Sequence, residues 1–121
     1  AFALPKANDK EKSDRKIAIQ SATKYAIEIP FKVMQMAYQS FEIIRAMCQT
    51  GNPNSITDAG VGAIAARSAV IGAFLNVKVN AAGLEDKQYA EKIINEGQAL
   101  QDKAISEELE LLQVVNQKIA K

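Results

Sequence analysis

Histidine and tryptophan are absent from this chain of 121 residues, and cysteine occurs once. Without His there is no Ser-His catalysis, no imidazole metal ligand, and none of the side chain that most readily titrates near neutrality. Acid–base chemistry falls to Asp, Glu, Lys, Tyr or the lone Cys, and carboxylates need surroundings that tune their pKa. One Cys excludes an internal disulfide and a Cys-based zinc site. Cys48 stands among apolar residues and reads as a small core residue. An excess of one charge is missing too: 15 Lys and Arg against 14 Asp and Glu leave a net charge of +1. Nothing in that balance favours nucleic acid or an anionic membrane surface as partner. The basic residues Lys10, Lys12, Arg15 and Lys16 are interleaved with Asp9, Glu11 and Asp14, the pattern of a solvated helix face. No uninterrupted apolar run approaches the roughly 20 residues that span a bilayer, and nothing resembles a signal peptide, so a cytoplasmic location is expected. There is no Gly-rich phosphate loop, no paired-carboxylate motif and no metal spacing.

Proline and glycine are scarce, at 3 and 6 residues, so long periodic segments run between breaks. With 48% hydrophobic and 24% charged residues, the chain is expected to form a single helical domain over 1–121. It begins without Met on "AFALPK", apolar residues that look like the middle of something, so an upstream portion is expected. The periodicity predicts four helical segments. The first spans about Asp9 to Ile29, capped by Asn8 or Asp9, with Ala18, Ala22, Tyr25, Ala26 and Ile29 at helical spacing. Pro30 ends or kinks it, or opens the next helix, which runs to Thr50 with Gly51 as its cap. There Val33, Ala37, Phe41, Ile44 and Cys48 form one stripe and Met36, Ile43 and Met47 a second, an arc wide enough for a well-buried helix. The last begins near "GLEDKQ", with Glu85 and Asp86 in its first turn. Its stripe of Tyr89, Ile93, Gly97, Leu100, Ala104, Leu111, Val115 and Ile119, widened by Ile94, Ile105 and Leu112, outreaches a core of this size. Its end is therefore expected to pack on another subunit or on further sequence. The fold class is all-α: an antiparallel helical bundle of about four helices, the last one long.

The third segment is the least ordinary. "GNPNS" is turn chemistry, with Asn54, Ser55 or Thr57 as caps for the helix beyond it. At 100° per residue, Asp58, Gly62, Ala65, Ala69, Gly72, Asn76 and Asn80 fall on one narrow face, nearly bare of side chains. Ile64, Ser68, Ile71 and Leu75 lie on the other side. Each interior Gly costs about 1 kcal/mol against Ala, so something is expected to approach that backbone closely. A neighbouring helix is one candidate, and a flat ligand between Asp58 and Asn76 is the other.

The block "GNPNSITDAGVGAIAARSAVIGAFLNVKVN" at 51–80 resembles the signature region of the formiminotetrahydrofolate cyclodeaminase and methenyltetrahydrofolate cyclohydrolase family. "LPK" at 4–6 and "RKIAIQSATKYAIEIP" at 15–30 are similar to the same family, in the same order. The resemblance implies an all-helical, dimeric, cytosolic enzyme of one-carbon metabolism, with a tetrahydrofolate derivative as substrate and no other cofactor or metal. Two reactions on the folate N5/N10 bridge fall within it. Cyclodeaminases close 5-formiminotetrahydrofolate to 5,10-methenyltetrahydrofolate with loss of ammonia, and cyclohydrolases hydrate the methenyl bridge to 10-formyltetrahydrofolate. Both pass through a tetrahedral carbon. The family's amino-terminal helical portion, with its "PGGGS"-type motif, is not in this sequence. A non-catalytic helical fragment or subunit with a dimerisation role is therefore the alternative.

Within that resemblance Asp58 and Lys6 are the catalytic candidates. Asp58 would contact the pterin or shuttle protons, or else serve only the helix dipole. Lys6 would supply a cation or a general acid, or else stay a surface residue. Asn52, Asn54, Asn76, Asn80 and Arg15 are the substrate-binding candidates. The asparagines would contact folate or shape structure, and Arg15 would receive tail carboxylates. Arg67 points away from the bare face, so an intersubunit or surface ion pair is expected for it.

Overall fold

The computed structural model describes residues 8–50 and 52–120. Three α-helices and one short 3-10 turn account for them: α1, Asp9–Thr50; the turn Pro53–Ser55; α2, Ile56–Ala81; and α3, Lys87–Ala120. The all-α expectation stands among the described residues, but the count of about four helices is corrected to three. Pro30 lies inside α1, which runs through it for 42 residues. The reason is tertiary. Ile27, Met34, Phe41 and Cys48 are seven residues apart, two helical turns each, and form one line of side chains at most 2% exposed. Ending the helix at Pro30 would turn Met34, Phe41 and Cys48 out of line with Ile27. One lost backbone bond costs less than that.

Caps fix the ends. Asn8 Oδ1 accepts from the Glu11 backbone N–H at 2.9 Å and starts α1. The expectation that Glu85 and Asp86 lie in the first turn of the last helix is corrected, because α3 begins at Lys87. Asp86 precedes it as the capping residue, its Oδ1 accepting from Tyr89 N–H at 3.1 Å.

α2 lies between α1 and α3. Gly62 of α2 stands against Ile44 of α1, and Gln20 of α1 reaches the Gly83 carbonyl just past the end of α2. The core face of α2 is built from small residues, Ala59, Gly60, Ala63, Ala66, Ala73 and Ala81, around Val70, Phe74 and Val77. Small side chains let both neighbouring helices come close. A Cβ on Gly60 would meet Val115 at 3.3 Å, and one on Gly97 would meet the Phe74 ring at 2.4 Å. By length and composition α2 with its preceding turn is long and apolar enough to cross a bilayer, although Asp58, Arg67 and Lys78 interrupt its apolar run. A helix apolar on nearly all sides is also what the centre of a helical core requires.

Gln20 Oε1 accepts from the Glu85 N–H, Lys16 pairs with Glu85 and Lys24 with Asp86, all over the buried Leu84 in the α2–α3 turn. At the far end, Lys118 of α3 donates to the carbonyl of Cys48 in α1. Lys118 thus ties the end of α3 to α1, while residues 116–120 are exposed. Arg45–Glu107 and Arg67–Glu108 tie α3 to the other two helices. The Arg67 pair is therefore internal, not intersubunit.

Candidate functional site

Among the described residues, no helix covers the bare face of α2 from Ala65 to Asn76. Ala65, Ala69, Gly72 and Asn76 are exposed, and a Cβ on Gly72 would meet nothing within 4 Å. Of the residues on that face, Gly62 alone is closely approached, by Ile44 at 3.5 Å. The expected close approach is instead at Gly60 and Gly97, on the core side. What the bare face does form is one wall of an open groove of about 590 Å³. Its α2 wall is Ala69, Gly72, Ala73, Asn76 and Asn80, and its α1 wall is Ala26, Ile29, Pro30 and Val33. The volume lies in the range of small-molecule sites, and apolar walls with a few polar groups are their usual composition. Missing side chains on Gly72 and Ala69 open the groove, and the Pro30 ring supplies a rigid surface opposite.

Of the seven site candidates, the structure brings two to this groove, Asn76 and Asn80. Asn80 Nδ2 donates to the Asn76 backbone carbonyl at 2.9 Å, which fixes the Asn80 side chain along the groove. Among the described residues, no ionisable side chain lines it. Asp58 is exposed in the first turn of α2. The 18 residues from Asp58 to Asn76 place the two about 27 Å apart along the helix axis. Asn52 and Asn54 share the Asp58 end. There Asn52 Oδ1 accepts from the Asn54 N–H at 2.9 Å and the Asn52 carbonyl accepts from Ser55, so both shape the turn. Arg15 is half-buried near the start of α1, at the end of the molecule that carries the α2–α3 turn. Lys6 lies outside the described residues. No group of three or more Asp, Glu or Cys able to hold a metal is present among the described residues.

Two groups at the α2–α3 turn have shifted pKa values. Asp86 is held below the ordinary carboxylate value by the Tyr89 backbone N–H and then by Lys24. Tyr89 is pushed up by burial, and then by the charge of Glu28. Both serve the capped turn rather than the groove.

Sequence reasoning missed the α1 wall. Its spacing predicts Ala26 and Ile29 in a buried stripe and Pro30 at a break. Instead Ala26, Ile29 and Val33 are exposed, along with Met36, Ile43 and Met47, so the wide arc of α1 is not buried within the chain. The signal was present: two apolar stripes on one helix cannot both face a single central neighbour.

Fold and groove together define a small all-helical protein with an apolar, amide-edged cleft suited to a flat organic ligand. The chain belongs to the formiminotransferase-cyclodeaminase family, whose model matches residues 1–99. A methenyltetrahydrofolate cyclohydrolase of Methylorubrum extorquens is 37% identical over 100 residues, covering 83% of this chain and 48% of the relative. A formimidoyltransferase-cyclodeaminase of Rattus norvegicus is 30% identical over 92 residues, 76% of this chain and 17% of its own length. One of Dictyostelium discoideum is 34% identical over 82 residues, 68% and 15% respectively. The chain thus spans about half the length of the cyclohydrolase and a smaller share of the cyclodeaminases.

Proposed function

We propose that this chain handles a tetrahydrofolate derivative in cytoplasmic one-carbon metabolism, acting on the N5/N10 bridge as a cyclodeaminase or cyclohydrolase. The observation that carries the reading is the groove between α1 and α2, found within the segment that matches the family. A pterin is flat, weakly polar on its faces and rich in donors and acceptors at its edge. Gly72, Ala69 and Pro30 leave room for the faces, and the amides of Asn76 and Asn80 meet the edge. Hydration of the methenyl bridge and ring closure with loss of ammonia share a tetrahedral carbon, so one groove serves either. Proton transfer is assigned to Asp58, although its own chain holds it about 27 Å from Asn76 along α2, and Arg15 and Lys6 receive the anionic tail of the substrate. No metal takes part. The helices pack antiparallel, a reading supported by the Gly62–Ile44 and Gln20–Gly83 contacts, and the working unit is a homodimer.

The near-ultraviolet absorbance of methenyltetrahydrofolate tests this directly. A cyclohydrolase makes the band decay faster than in buffer, and a cyclodeaminase makes it grow from 5-formiminotetrahydrofolate. Asn76→Ala is expected to raise the ligand dissociation constant about tenfold, one lost hydrogen-bonded contact. No turnover in either direction, with no folate binding, would overturn the proposal in favour of a non-catalytic helical subunit.

A further inference from the structure

Between the end of α2 at Ala81 and the start of α3 at Lys87, one side chain of α1 pairs with the turn as a second backbone would. Gln20 Nε2 donates to the Gly83 carbonyl at 3.4 Å, and Gln20 Oε1 accepts from the Glu85 N–H at 2.8 Å. That carbonyl and that N–H flank Leu84, whose side chain is buried. A primary amide offers a donor and an acceptor side by side at this reach, whereas a carboxylate only accepts and an ammonium only donates. Lys16 and Lys24, one helical turn to either side of Gln20, also hold the turn, through Glu85 and Asp86. Those two ion pairs are exposed, contribute little and are screened by salt. Gln20 is half-buried and neutral, so its tie is the salt-independent one of the three.

What Gln20 holds leads to the groove. The Gly83 N–H donates to the Asn80 carbonyl at 3.1 Å, and the Leu84 N–H to the Ala81 carbonyl at 3.2 Å. These bonds close the last turn of α2, whose terminal carbonyls would otherwise lack partners and whose backbone would fray. Asn80 stands in that turn and lines the groove. Its Nδ2 is engaged by the Asn76 carbonyl, which can accept only from the nitrogen, so its Oδ1 remains as an acceptor. An acceptor fixed in this way selects a ligand that brings an N–H to that end of the groove.

We propose that Gln20 is a positioning residue of the groove: by bracing Gly83 and Glu85 it holds the last turn of α2, and with it Asn80 as an acceptor for the N–H edge of the ligand. Gln20 itself lies outside the groove lining and acts only through this relay. Lys24 is the internal contrast. Its tie runs to Asp86, the cap of α3, and bypasses Asn80.

The proposal deepens the folate reading and rests on it only for the identity of the ligand. Gln20→Met removes both hydrogen bonds and keeps the volume of the stem. In titration calorimetry with 5-formyltetrahydrofolate, Gln20→Met should bind about fivefold more weakly than the parent, and Lys24→Met should bind as the parent does. In an Asn80→Ala background Gln20→Met should weaken binding no further, as expected of two residues that act through one contact. Equal weakening in Lys24→Met, or full additivity with Asn80→Ala, overturns the positioning role. A second readout needs no ligand. The side-chain amide resonances of Asn80, identified by their loss in Asn80→Ala, should shift in Gln20→Met and stay in place in Lys24→Met. A purely structural role would lower Tm in both variants and leave those resonances unmoved, which also overturns the proposal. Should Gln20→Met not fold, Gln20→Glu, which keeps the bond to Glu85 and loses the one to Gly83, carries the same readouts. Shifted resonances in a protein whose parent binds no 5-formyltetrahydrofolate leave the positioning of Asn80 standing and remove the folate reading instead.

Discussion

Gly97 is the position where one methyl group tests the packing most sharply. Its Cβ would lie 2.4 Å from Cε1, 2.7 Å from Cδ1 and 3.1 Å from Cζ of Phe74. Phe74 is wholly buried and cannot swing toward water, and Lys78 stands over its ring at 4.7 Å from the centroid. Either α3 moves off α2 or the ring leaves its rotamer. Overpacking of this kind costs about 3 kcal/mol at the upper end of what added methyls do in a filled core. Replacing a mid-helix Gly by Ala returns about 1 kcal/mol. Gly97→Ala is therefore expected to lose about 2 kcal/mol net, a fall in Tm on the order of 8 °C for a chain of this length. Gly72→Ala is the control, since its Cβ enters open space and keeps only the gain, about 1 kcal/mol. Thermal melts followed by circular dichroism measure both. A Phe74→Leu background removes the ring, and there Gly97→Ala should no longer destabilise. A Gly97→Ala chain melting at or above the parent would refute the contact.

Pro30→Ala restores a backbone donor inside a continuous helix and should raise stability by about 2 kcal/mol, read by denaturant titration; a loss would mean that the Pro30 ring packs better than a helix bond. Leu84→Ala should cost about 3 kcal/mol, because Leu84 is 1% exposed and seats the turn between α2 and α3; a change under about 1 kcal/mol would show that the turn holds without it. Asp86→Asn tests the cap. The folded pKa of Asp86 is depressed, so its contribution is present above its unfolded value of about 4 and is lost as pH falls through the lower folded value. Parent and variant should differ in Tm at pH 6 and converge near pH 2, and an equal gap at both would sink the electrostatic account. Arg67→Met should change stability little, since the Glu108 pair is only part-buried.

How much of this could be read without coordinates differs from helix to helix. α3 was legible: Ile93, Gly97, Ala104, Leu111 and Val115 are buried where their spacing put them, because charged residues alternate with the stripe and give strong contrast. α1 was half legible. Phe41, Ile44 and Cys48 lie in the core as their stripe predicts, but nothing in that stripe marks Ile27 and Met34. The rule that proline breaks helices outweighed the seven-residue line that runs through Pro30. In α2 the sorting of Gly and Ala is visible in the sequence, yet its meaning is reversed in the fold. A helix made of alanines carries its core face in residues that look neutral, so the stripe of Ala59, Ala63, Ala66 and Ala73 gave no contrast against Ala65 and Ala69. The glycines that admit a neighbour, Gly60 and Gly97, differ from Gly72 only by angles of rotation that sequence alone leaves unanchored.

The site candidates show the same effect from the other side. Asp58, Gly72, Asn76 and Asn80 do share a face of α2, and Gly72, Asn76 and Asn80 do line a groove. Angular position was therefore legible. Axial position was legible too, at 1.5 Å per residue, but it carries its full weight only once the chain's own contacts are known. A face 33 Å long cannot place both of its polar ends on one small ligand, and nothing folds Asp58 back toward the groove within the chain.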